Sequence, residues 1–121
     1  MIQGLGIDLL AVRRFSALED KEAFCRSVFT AAETGLVGRA PDRDRCAALL
    51  FALKEAALKA LGCGLYFGSF WRNIDIGRDS SMRTGGAIEQ MAAKKAVGKI
   101  HNSAACTGKH ALCIVLLESN D

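Results

Sequence analysis

The sequence has little of what usually marks a specialised chain. Its five cysteines, Cys25, Cys46, Cys63, Cys106 and Cys113, are odd in number, and none forms a CxxC pair. That excludes a disulfide frame and a zinc ribbon, and it suits buried or free thiols in a reducing cytoplasm. Pro41 is the only proline, and there is neither an internal repeat nor a low-complexity stretch. The opening MIQGLGIDLL has no basic side chain and reaches Asp8 too early for a signal peptide. No apolar run approaches the length of a membrane span. Charge of one sign is scarce as well: 16 basic and 13 acidic residues leave a net +3. So weak a bias does not imply nucleic acid, but it suits an anionic small ligand or an acidic protein partner.

What the sequence does hold is apolar material. Of its 121 residues 50% are hydrophobic, enough for one domain spanning 1–121 with a small core that oligomerisation would help. The densest stretch is Arg45 to Gly62, RCAALLFALKEAALKALG. It predicts a helix of about four turns, with Gly62 at the stop position. Nearly every direction around its axis is apolar, so it should be buried on most sides. Lys54, Glu55 and Lys59 interrupt it, and long charged side chains are rarely buried without a partner or a task. Glu55 and Lys59 share a face with Ala48 and Ala52, small enough for a ligand to dock. In a solvated helix such a pair is an ordinary ion pair worth about 0.2–0.5 kcal/mol. This helix is too apolar to be a solvated one.

Ile2 to Leu10 predicts a strand with Leu5, Ile7 and Leu9 on one face. Gly4, Gly6, Asp8 and Leu10 occupy the other. Glycine inside a strand marks close approach of a ligand or another backbone. Asp8 and Glu55 together are candidates for a hard-cation site, since Mg²⁺ takes one or two protein carboxylates plus phosphates. Val12 to Val28 reads as a basic helical region broken near Glu19–Lys21. It is either a surface helix or a dock for an acidic partner. Thr30 and Glu33 form a capping box starting a helix to about Val37, followed by a loop from Gly38 to Arg45. Gly62, Gly64 and Gly68 make a permissive loop, which by itself is weak evidence for phosphate binding. Trp71 to Ile76 predicts a strand, Arg78 to Gly86 a polar turn and Ala87 to Gly98 a helix, with room for a short irregular strand just before it. Ile100 to Ala105 and Ala111 to Glu118 predict a hairpin around Thr107-Gly108-Lys109. The fold class expected is α+β, a mostly antiparallel sheet wrapped around one nearly buried long helix.

Four segments occur together in a familiar order and spacing: GIDLLAVRRF, FTAAE, FALKEAALKALG and IHNSAACTGKHALCIVLLE. With them the chain resembles the holo-acyl-carrier-protein synthases, the small trimeric group of 4'-phosphopantetheinyl transferases. The resemblance spans essentially the whole chain, and the GxD with a downstream KExxxK is its most specific part. It implies transfer of the phosphopantetheine arm of coenzyme A to a serine of an acyl or peptidyl carrier protein, with release of 3',5'-ADP. The carrier would serve fatty acid synthesis or a related pathway. Asp8 and Glu55 would bind Mg²⁺, and Lys59 would neutralise the phosphates. Lys54, Lys59, Gly62, Gly64 and Ser103 would line the coenzyme A site. Arg13, Arg14 and Arg26 would meet the acidic carrier, and the sites would lie between subunits of a cytoplasmic homotrimer. The base that takes the serine proton stays open: a water or a carboxylate.

The chain departs from that family's pattern in three places. The basic residue of R-F/W-A-x-K-E is Leu50 here, the histidine of Ser-x-x-His is Cys106, and a common acidic residue is Asn73. The first two changes remove contacts expected for the nucleotide end of coenzyme A. They leave an alternative reading, a weak or inactive homologue that binds carrier proteins.

Overall fold

The structure is a computed structural model that describes residues 1–63 and 70–120. Its centre is the long helix α4, Arg43–Ala60, with β1, Ile2–Ala11, laid against it. Asp42 caps α4 by accepting the Arg45 N–H at 3.1 Å, and Asp44 adds a carboxylate in the first turn. Both favour a helix N-terminus, so α4 begins two residues earlier than its apolar pattern suggests. It ends where Gly62 takes φ +78° and the Cys63 N–H reaches back to Leu58 O at 2.8 Å. That is the glycine stop expected of this position.

Between these elements lie three helices, α1 (Arg13–Ser16), α2 (Lys21–Val28) and α3 (Ala31–Arg39). The break expected near Glu19–Lys21 is present, with Asp20 capping α2 through the Ala23 N–H. The Thr30–Glu33 capping box is formed in both directions. Aromatic edges fasten these helices to α4: Phe15 to Phe24 at 5.2 Å and Phe15 to Phe51 at 5.8 Å between ring centroids. Such pairs stabilise beyond their buried area.

After α4 the chain forms β2 (Ile74–Ile76), β3 (Met82–Thr84), α5 (Gly86–Lys94), β4 (Val97–Cys106) and β5 (His110–Ser119). Two boundaries differ from expectation. Only Ile74–Ile76 of the 71–76 stretch is extended, and it pairs with β3 inside the segment expected to be a turn. The Ser81 N–H donates to Asp79, and Ser80 takes φ 66°, which tightens the reversal. The helix expected to reach Gly98 stops at Lys94, because Ala96 takes φ 55° and the chain becomes extended from Val97.

The main sheet has the order β1-β5-β4, all antiparallel. Alternation gives it two unlike faces. Asp8, Leu10, Cys113, Val115 and Leu117 are buried on the inner face, under α4. Leu5, Ile7, Leu9, Leu112 and Ile114 are exposed on the outer one. The helix comes unusually close on the inner face. A Cβ at Gly4 would overlap the carbonyl of Ala60, and one at Gly6 the carbonyl of Ala56. The α4 residues at this notch, Ala56 and Ala60, are small and buried. The approach anticipated at the strand glycines is thus that of another backbone.

Gly6→Ala should cost about 3 kcal/mol or more, because a rigid backbone must give way. At Gly38, by contrast, an added Cβ would meet nothing within 4 Å. Gly38→Ala should instead stabilise by about 0.4–1 kcal/mol through the unfolded chain. Denaturant titration of both variants checks the contrast.

Candidate active site

The glycine notch brings the polar face of α4 to the next inward residue of β1, Asp8. Asp8 is 7% exposed. Its Oδ1 accepts a hydrogen bond from Lys59 Nζ at 2.9 Å, and Lys59 also donates to Ile7 O at 3.1 Å. The other oxygen, Oδ2, is buried and has no hydrogen-bond partner. Glu55, one turn before Lys59, stands beside it. Burial first, then the charge and hydrogen bonding of Asp8, push the Glu55 carboxyl up from its ordinary value of 4.5 to about 7. Lys59 and Arg14 pull it the other way and are outweighed. The orphaned oxygen and the raised carboxyl are one condition: two acidic groups short of a positive partner.

A divalent cation fits that condition. Asp8 and Glu55 supply hard oxygen donors on two rigid elements. Among the described residues no cluster of three or more His, Cys, Asp or Glu is placed to hold a metal. A site with two carboxylates and open positions suits Mg²⁺ shared with a phosphate ligand, and does not suit a closed structural ion. Behind the pair, Cys113 sits opposite Asp8 in β5. Burial, then the Asp8 charge, push its thiol up to about 12, so it stays neutral. Its part is to wall the site.

A family model described as the 4'-phosphopantetheinyl transferase superfamily matches residues 4–115. The chain belongs to that superfamily. It is 34% identical to a holo-[acyl-carrier-protein] synthase of Trichlorobacter lovleyi, over 98% of this chain and 99% of the relative. Its fold is similar to that of the holo-[acyl-carrier-protein] synthase of Neisseria meningitidis. The TM-score is 0.87 at 28% identity, covering 98% of this chain and all, 100%, of the other. A synthase from Bacillus anthracis in complex with CoA (3',5'-ADP) superposes with a TM-score of 0.78 at 25% identity, covering 99% of both chains.

In this transferase Asp8, Glu55 and Lys59 come together. Other residues singled out in the sequence do not join them. Lys54 is a correction: it is wholly buried on the opposite side of α4 and bound to Glu33 at 2.7 Å. It therefore cannot reach a coenzyme A site. A lysine in so apolar a helix demands a carboxylate, and Glu33 has a second task besides its half of the capping box. The need of Lys54 for a partner is the signal that points to it. Gly62 is exposed at the end of α4, but its N–H is engaged by Lys59 O at 3.0 Å. That donor is therefore not free for a phosphate. Gly64 and Gly68 lie outside the described residues. Ser103 pairs with Ile114 and is exposed on the outer sheet face, away from Asp8 within one chain.

Arg13 and Arg14 are exposed on α1, and Arg14 is near enough for its charge to act on Glu55. Arg13 lines a recess with Ser16, Lys109 and His110. Arg26, on α2, is exposed and pairs loosely with Glu22 at 3.9 Å. Leu50 belongs to the core at 6% exposure. Cys106 is held by Arg45, which donates to its Sγ at 3.2 Å and its carbonyl at 2.8 Å. Arg45 is thus a cation beside the turn that follows β4, a feature the sequence pattern does not disclose.

Glu55 sets a pH dependence. Its folded pKa is raised, so between about pH 4.5 and 7 the folded chain holds a proton that the unfolded chain has released. Its contribution to stability is complete below the unfolded pKa and drains away as pH rises through 7. A divalent cation bound there would replace that proton. Mg²⁺ should therefore raise Tm, and by more near pH 8 than near pH 6, in scanning calorimetry. An equal shift at both, or none, would contradict the paired-carboxylate site.

Proposed function

We propose that the chain is a holo-acyl-carrier-protein synthase. It moves the 4'-phosphopantetheine arm of coenzyme A to a serine of an acyl carrier protein. The observation that carries this reading is the convergence of Asp8, Glu55 and Lys59 at the glycine notch. The similarity to named synthases across nearly the whole chain supports it. A Mg²⁺ ion held by Asp8 and Glu55 would neutralise the pyrophosphate and draw charge off it as the bond breaks.

The chain's own residues supply the rest. The serine hydroxyl gives its proton to a water or a carboxylate, its oxygen forms a bond to the phosphorus bearing the pantetheine arm, and the bond from that phosphorus to the departing 3',5'-ADP breaks. Lys59 is half-exposed, with one face on Asp8 and Ile7. Its ammonium has three protons and two such partners, which leaves a donor for the phosphate of the departing group. Asp8 holds that ammonium in place. The rigid notch between β1 and α4 fixes both, and positioning is most of what phosphoryl transfer asks of a protein. Arg14, whose charge acts on Glu55, would meet the acidic residues flanking a carrier serine. Arg13 and Arg26, both exposed, would add to that attraction.

The assembly we propose is a homotrimer with sites at subunit boundaries. Support comes from the outer sheet face, where Ile7 lies opposite Ile114 and Leu9 opposite Leu112, all exposed. An uncovered apolar sheet of this kind is unusual on a monomer. Subunit boundaries would also give Ser103, on that face, a route to a neighbour's site. No helix among the described residues is long and apolar enough to cross a membrane. All five cysteines are free, which supports a reducing compartment such as the cytoplasm as the place of action.

The direct test is incubation with coenzyme A, Mg²⁺ and an apo acyl carrier protein, followed by intact-mass measurement of the carrier. We expect a gain of one phosphopantetheine group, lost with EDTA. Lys59→Ala should lower kcat by about 10²–10³-fold. No mass gain with any acyl or peptidyl carrier would overturn the assignment. Arg14→Glu should raise the carrier KM, more at low salt, and leave the coenzyme A KM unchanged. A monomer in sedimentation equilibrium at micromolar concentration would count against the trimer.

A further inference from the structure

Two full charges are buried behind α4, on the side away from the sheet, and the reaction does not use them. Lys54 and Glu33 are each 0% exposed. Lys54 Nζ lies 2.7 Å from Glu33 Oε1, and it donates to Ile74 O at 2.6 Å, Trp71 O at 2.9 Å and Val28 O at 3.1 Å. Glu33 accepts the Thr30 N–H on Oε1 at 2.9 Å and the Ile76 N–H on Oε2 at 2.8 Å. One ammonium thus ties α4 to the end of α2, the start of α3, the turn before β2 and β2 itself.

A buried ion pair is a poor way to gain stability, since apolar residues of similar size often do as well. Its distinctive property is direction. Each acceptor around Nζ is a backbone carbonyl or a carboxylate fixed by two N–H groups, so the bonds fix the rotation and depth of α4. Leucines in the same space would tolerate sliding. On the opposite side of the helix, Ala56 and Ala60 press into the Gly4–Gly6 notch. The helix is gripped from two sides at that level. Glu55, the next residue after Lys54, points to Asp8, and two carboxylates brought together push the elements that carry them apart.

We infer that Lys54, with Glu33, is a positioning residue for the cation site: it holds α4 against β1 so that Glu55 stays beside Asp8. This rests on the cation-binding part of the proposed function. Neither Lys54 nor Glu33 touches substrate.

The test compares Mn²⁺ affinity, by calorimetric titration without coenzyme A, in four proteins. The wild type should bind one Mn²⁺ per chain. Glu33→Gln with Lys54→Met removes both charges and roughly keeps the volume. It should fold, by circular dichroism, yet bind Mn²⁺ about 10–100-fold more weakly, as loss of an outer support of a metal site does. Its kcat should fall in parallel, while the carrier KM stays. Lys54→Arg keeps the charge but misplaces the donors, and should weaken Mn²⁺ binding with little loss of Tm. Ile88→Ala is a core change on α5, and should lower Tm while leaving Mn²⁺ affinity intact. Wild-type affinity in the folded double variant overturns the inference. If that variant does not fold, wild-type affinity in Lys54→Arg overturns it instead. Equal loss of affinity in Ile88→Ala would show that any destabilisation suffices, and would overturn it too. A wild type that binds no Mn²⁺ would refute the cation site itself, and the positioning role with it.

Discussion

Helix α4 can lie on β1 as it does only because Gly4 and Gly6 have no side chains. Any larger residue would strike the carbonyl of Ala60 or Ala56. The contact is between backbones, so its geometry cannot be adjusted by side-chain rotamers. Everything polar in the site inherits that rigidity. Asp8 is two residues beyond Gly6 on the same face of β1. Glu55 flanks Ala56 in α4, and Lys59 flanks Ala60. The notch therefore places an acid, an acid and an ammonium within reach of one another, on two regular elements instead of loops.

The chain contains two lysine–carboxylate pairs with opposite characters. Lys54 and Glu33 are sealed, and every polar atom between them is met by backbone. Desolvation holds the Lys54 pKa below its ordinary range, and the Glu33 hydrogen bond and charge counter it. Such a pair fixes structure. Lys59 and Asp8 are left incomplete: Lys59 is half in solvent and Asp8 keeps one oxygen unmatched. Incompleteness of that kind is unfavourable in a folded chain unless something fills it. A site that must admit and release a charged substrate needs that open valence.

Much of this is legible in the sequence. The apolar run of α4 and the alternation of β1 and β5 come from periodicity, and the Thr30–Glu33 box from a local motif. Asp8 and Glu55 can be paired because each breaks the pattern of its own element. What stays hidden depends on distant chain. The sequence shows that Lys54 is anomalous but not which way it points, and proximity to Glu55 suggests a shared task. Two residues along a helix make a turn of about 200°, so with Ala56 against β1, Lys54 lies on the side opposite the sheet. Leu50 shows the same limit. Its place in a resemblance pattern suggests a ligand contact, while in the chain it fills the core. The role of Arg45 is invisible locally because its partner, Cys106, is 61 residues away. For the hairpin β2–β3 the sequence shows extended chain but not its bounds or pairing, since each strand is three residues, too short for alternation to fix its ends.

If the backbone notch brings Asp8 and Glu55 to one cation, that ion should be visible between them. A crystal grown with Mn²⁺ and coenzyme A, measured at the manganese absorption edge, tests it most directly. We expect one anomalous peak per chain, bonded to a carboxylate oxygen of Asp8 and one of Glu55, with pyrophosphate oxygens and water in the remaining positions. A peak bound to only one of the two carboxylates, or none at this site with coenzyme A in place, would contradict it.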